Sequence, residues 1–102
     1  MYLVQILLPL YDNEREALPR DEYIQMRSEL TERFGGLTVY TRAPAEGLWK
    51  QNDNQTHQED IVIFEVMTSQ LDTDWWQAYR KNLEVRFRQD MVVIRAQQMR
   101  LL

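Results

Sequence analysis

The chain contains no cysteine, one histidine, three glycines and three prolines among its 102 residues. Without cysteine there are no disulfides, no thiolate metal sites and no cysteine nucleophiles. A single histidine rules against a His-based zinc site or a multi-His proton relay. No apolar run approaches twenty residues, and the opening stretch from Met1 to Pro9 lacks a basic lead. Neither a membrane span nor a signal peptide is therefore expected, and the chain reads as cytoplasmic. Positive charge is also scarce: the formal net charge is −4, a poor footprint for nucleic-acid binding.

What is present is enough for one core. Hydrophobic residues make up 44% of the chain and aromatics 11%, so residues 1–102 are expected to form a single folded domain. Charge is unevenly spread. Residues 1–78 carry six basic and fourteen acidic side chains, residues 79–102 six basic and two acidic. The C-terminal arginines would suit an anion or a partner; the plainer reading is that Arg80, Lys81, Arg86 and Arg88 solvate a helix face.

Periodicity supplies the elements. Tyr2 to Leu10 is rich in branched apolar residues and predicts a strand. Pro19, Asp21 and Glu22 suit the first turn of a helix, along which Tyr23, Met26, Leu30 and Phe34 form one apolar stripe. Gly35-Gly36 stops it by admitting left-handed backbone. Leu37 to Ala43 predicts strand two and Ile61 to Met67 strand three, with a polar connection from Pro44 to Asp60 between them. Asp72 or Thr73 caps a second helix running to about Arg88, and Met91 to Gln97 is strand four.

The halves repeat at a spacing of 53. Tyr23, Met26, Leu30 and Phe34 fall on Trp76, Tyr79, Leu83 and Phe87, and Val39 and Arg42-Ala43 fall on Val92 and Arg95-Ala96. Two β-α-β units with right-handed crossovers give a βαββαβ order. The expected fold is α+β and ferredoxin-like, an antiparallel four-stranded sheet with two helices on one face.

Alternation along the strands assigns the faces. Val4, Ile6, Leu8, Leu37, Val39, Val62, Phe64, Val66, Val92, Ile94 and Ala96 are expected to meet the helices. The other face would hold Leu3, Leu7, Ile61, Ile63, Met67, Met91 and Val93, an apolar patch larger than monomers usually expose. A second copy about a two-fold axis is the simplest cover, giving a dimeric α+β-barrel arrangement. At roughly 25 cal/mol per Å², burying several hundred Å² contributes on the order of 10 kcal/mol gross, before association costs.

Five polar residues interrupt that face: Gln5, Tyr40, Arg42, Glu65 and Arg95. As a site, the arginines and Tyr40 would orient an anionic or enolisable molecule, with Glu65 as base. As structure, the same residues would be ion pairs fixing the register of a dimer. Trp49, a lone aromatic in the polar connection, either closes over a pocket or partner, or anchors the loop. His57 stands without an accompanying base or nucleophile and reads first as a surface histidine. Trp76 and Tyr79 lie on the helical stripe, whereas Trp75 points away and would cover a sheet edge or line an entrance. Base stacking on these rings is disfavoured by the acidic balance. No phosphate-binding glycine loop, nucleophile elbow or metal-ligand spacing is present, so no cofactor and no metal are expected.

The run Phe34-Gly35-Gly36-Leu37-Thr38-Val39-Tyr40-Thr41-Arg42-Ala43-Pro44-Ala45-Glu46-Gly47-Leu48-Trp49-Lys50 resembles a signature of small bacterial proteins of about this length, a group that implies no settled activity. Asp60 to Met67, Trp75-Trp76 and Tyr79-Arg80 carry the same resemblance. The element order more loosely resembles the dimeric α+β-barrel superfamily, which spans cofactor-independent monooxygenases, small isomerases, haem-handling proteins and ligand-binding regulators. No catalytic motif of that superfamily is matched, so no functional residue is carried over. The expectation is a homodimer that binds a small ligand or a partner, without nucleic acid or membrane. The alternative is a cofactor-independent monooxygenase or isomerase with Tyr40, Arg42, Glu65, Trp49 and His57 around its site.

Overall fold

The computed structural model describes residues 1–9, 20–40, 46–52 and 55–102, with residues 46–52 and 55–60 described by backbone alone. Its elements are β1 (Tyr2–Pro9), α1 (Arg20–Phe34), β2 (Thr38–Tyr40), β3 (Glu46–Asn52), β4 (Gln55–Thr68), α2 (Thr73–Arg86) and β5 (Val93–Gln98). The sheet order is β2-β4-β1-β5, with every pairing antiparallel. This is the ferredoxin-like α+β arrangement predicted from the repeat.

One element differs from expectation. The polar stretch from Pro44 to Asp60 is not a plain connection: residues 46–52 and 55–60 pair as a β3–β4 hairpin, with Trp49 opposite His57 in the register. The order is therefore βαβββαβ, and β4 runs continuously from the hairpin into the sheet. Backbone pairing here proceeds without the apolar alternation that marks a half-buried strand, so the sequence pattern gave no sign of it. Smaller differences lie at the ends: α2 stops at Arg86, and β5 begins at Val93 rather than Met91. Pro19, Arg42 and Pro44 fall outside the described residues.

The core follows the two periods. Val4, Ile6, Leu8, Val62, Phe64 and Val66 are buried from the sheet, against Met26 and Leu30 of α1 and Trp76, Tyr79 and Leu83 of α2, with Phe87 just beyond α2 and Val92 just before β5. Leu37, Val39 and Ile94 are only partly buried, because β2 and β5 are edges. Ala96, expected inside, is exposed near the end of edge strand β5. Tyr23 packs edge-on to Phe87, its hydroxyl donates to the Pro9 carbonyl, and burial pushes its pKa up to about 12. Asp72 caps α2 by accepting from the Trp75 N–H at 3.0 Å.

The internal repeat extends to backbone conformation. Gly35 closes α1 at φ 78°, donating to the Thr31 carbonyl at 2.8 Å. The position 53 residues later is Arg88, which closes α2 at φ 51°. A methyl group added at Gly35 meets nothing within 4 Å. Gly35→Ala is therefore a test of backbone strain alone, and urea unfolding should register a loss of about 1 kcal/mol. No measurable loss would show that the left-handed turn is not required there.

Candidate functional site

The face of the sheet turned away from the helices carries four of the five polar residues expected there: Gln5, Tyr40, Glu65 and Arg95. Strand register places three of them in one row, with Tyr40 two residues along β2. Gln5 on β1 stands opposite Arg95 on β5 and Glu65 on β4, and Glu65 stands opposite Thr38 on β2. The side chains are joined across four strands. Arg95 Nε donates to Gln5 Oε1 at 2.8 Å, and Gln5 Nε2 donates to Glu65 Oε1 at 2.6 Å. Tyr40 Oη donates to Glu65 Oε2 at 3.3 Å, and the nearby carboxylate raises the Tyr40 pKa, chiefly by its charge and then through this hydrogen bond.

The row has a direction. With its oxygen taken by a guanidinium and its amide nitrogen by a carboxylate, Gln5 is locked in one orientation. Glu65 follows as an anion whose partners among the described residues, Gln5 and Tyr40, are both neutral. Among the described residues no basic side chain lies within ion-pairing distance of it. Apolar neighbours frame it: Leu3, Leu7, Ile61 and Ile63 are half-buried, while Met67, Met91 and Val93 are exposed at 53%, 70% and 41%.

Beside Glu65 the face opens into a cleft of about 500 Å³. Leu3, Thr38, Glu65 and Met67 form one side, and Phe34, Gly35, Gly36 and Leu37, at the end of α1, form the other. Glycine at both positions keeps this wall low, since neither carries a Cβ. The sequence assigned these glycines only to helix termination; nothing in a linear pattern places them beside Glu65, which lies in β4.

The remaining candidates divide. Gln5, Tyr40, Glu65 and Arg95 are brought together. Arg42 lies outside the described residues, and Trp49 and His57 are placed only by their opposed backbone positions in the β3–β4 hairpin. Trp75 is on the helical side, stacked on Tyr79 at 4.8 Å and edge-on to Phe34 at 5.4 Å, with the Arg33 guanidinium 4.1 Å above its ring. It belongs to an aromatic cluster bridging the two helices.

Arg86 corrects the reading of the C-terminal arginines as a solvated helix face. Its side chain is only 15% exposed and bridges α2 to α1, with Nε 2.7 Å from Glu22 and Nη1 3.0 Å from Glu29. Burial lowers its pKa, but Glu29 and Glu22 outweigh that and raise it. The Tyr79 hydroxyl donates to the same Glu29 at 2.8 Å. The repeat held a clue: Arg33 and Arg86 are 53 apart, as are Glu22 and Trp75. Each arginine crosses to the partner's equivalent on the other helix, one to a carboxylate and one to an indole. Among the described residues no group of three acidic or histidine side chains is placed to hold a metal ion.

No family model and no curated protein matches the chain. Among solved structures it is similar to a phage SAM lyase in complex with S-methyl-5′-thioadenosine, with a TM-score of 0.61 and 17% identity over 95% of this chain and 80% of the other. At that identity the likeness is one of fold, and the ferredoxin-like architecture is what the two share.

Proposed function

We propose that this is a small-molecule-binding domain that works as a cytoplasmic homodimer, with its ligand held at the outer face of the sheet beside Glu65. The observation that carries the reading is the directional row Arg95–Gln5–Glu65–Tyr40 set within an apolar surface and bordering a cleft. Such a combination of apolar walls with a few fixed polar groups is how small-ligand sites are generally built. A second copy laid on Leu7, Met91 and Val93 would remove apolar area from water and narrow access to the row. The similar phage lyase was solved with a nucleoside thioether bound, which supports a ligand of that size on this fold. The chain's resemblance to small bacterial proteins is part of the same proposal. A catalytic form of the site has one observation on its side, the Tyr40 hydroxyl bonded to the Glu65 carboxylate.

Two measurements test this. Sedimentation velocity at micromolar concentration should give a dimer, and Val93→Lys should convert it to a folded monomer. Calorimetry with S-methyl-5′-thioadenosine as probe should give saturable binding. A wild-type chain that stays monomeric at tens of micromolar removes the assembly, and the absence of saturable heat removes the ligand class.

A further inference from the structure

We propose that the cleft between Glu65 and the end of α1 receives the charged group of a weakly hydrated organic cation, a sulfonium or quaternary ammonium. This rests on the ligand-binding reading above and names the chemical class that the site takes.

Three features converge on positive charge. Among the described residues Glu65 is the one ionisable side chain lining the cleft, and the donors that fix it, Gln5 and Tyr40, are neutral. Arg95 is held one residue away, on the far side of the Gln5 amide. The opposite wall is the C-terminal end of a fifteen-residue helix, where aligned peptide dipoles leave partial negative charge. The basic residue in that last turn, Arg33, lies over the Trp75 ring, 5.7 Å from the Phe34 ring centroid and 4.0 Å from Asp72. Carboxylate and helix end thus act on the same space with the same sign.

The remaining walls choose among cations. Leu3, Phe34, Leu37 and Met67 offer no hydrogen-bond acceptors from their side chains. A primary ammonium or metal ion would have only Glu65, Thr38 and the helix-end carbonyls to replace its hydration shell. A sulfonium or quaternary ammonium spreads its charge over attached carbons and sheds water more easily, so it tolerates these walls better. Phosphates and carboxylates are repelled by both walls.

S-adenosylmethionine and S-adenosylhomocysteine differ by one methyl group and one positive charge, so as probes they isolate the charge. Gly35 and Gly36 are two of only three glycines in the chain, and their amide signals in ¹⁵N-glycine-labelled protein report on the cleft directly. The sulfonium probe should shift both signals and bind about tenfold more tightly than the thioether, the advantage of one charge a few ångströms from a carboxylate at a protein surface. Glu65→Gln should abolish that preference. In wild-type protein, raising salt from about 0.05 to about 0.5 M should shrink the preference, a measurement that does not depend on the variant folding. Equal affinity for the two probes overturns the inference, as does a preference that survives Glu65→Gln or shifts that spare both glycines. In those cases binding of S-methyl-5′-thioadenosine would leave the broader ligand-binding reading standing; failure of all three probes removes both.

Discussion

Phe64→Ala is expected to lower the unfolding free energy by about 3–5 kcal/mol, the range for deleting a fully buried aromatic ring. Phe64 is 1% exposed on β4, an inner strand, opposite Ile6 on one side and Val39 on the other. Its ring stacks against Tyr23 at 6.3 Å, so the loss includes a sheet–helix contact that neighbours cannot refill by small rotations. Phe64→Leu, which keeps most of the volume, should cost about 1–1.5 kcal/mol. Urea unfolding followed by circular dichroism gives both values, and a loss under about 1.5 kcal/mol for the alanine variant would mean that β4 is not central.

Removing Arg86 should have the second largest effect. Arg86→Ala strands Glu22 and Glu29 together on α1 and withdraws a side chain packed between α1 and α2. Breaking a fully buried ion pair costs about 3–5 kcal/mol. Both carboxylates here are close to a third exposed, at 29% and 31%, and water compensates in part, so about 2–3 kcal/mol is expected. The diagnostic comparison is the triple variant Arg86→Met, Glu22→Gln, Glu29→Gln. It removes the charges together while leaving Tyr79 an acceptor at position 29, and should recover more than half of the loss. If the triple variant is as unstable as Arg86→Ala, the arginine acts through its packing and not its charge.

These two residues show why parts of the molecule were readable from sequence and others were not. Phe64 belongs to an alternating run, Val62-Phe64-Val66, whose period declares a buried face. Arg86 sits on a helix among other charges, and its partners lie 57 and 64 residues away. Local pattern contains no information about such contacts; only the 53-residue repeat, which equates Arg33 with Arg86, linked it to anything distant. The polar row was half legible. Gln5, Glu65 and Arg95 stood out as polar interruptions of an apolar face, yet that does not pair them. A strand can slide by two residues and keep every side chain on its own face, so alternation leaves register open. Pairing Gln5 with both Glu65 and Arg95 required the structure. The β3–β4 hairpin was not legible at all, for a polar strand shares its composition with a loop.

The orientation of Gln5 bears on how two copies would meet. A hydrogen-bonded file with a guanidinium at its head and a carboxylate near its tail is a vector lying in the plane of the sheet. When two sheets are stacked about a dyad that runs along the file, both vectors point the same way and guanidinium opposes guanidinium. When the dyad runs along the strands, the vectors are reversed and each positive head leans toward the other copy's negative tail. Like charges brought face to face are penalised and opposite ones are not, so in a pairing of two copies through this face the amide of a single glutamine would select the axis.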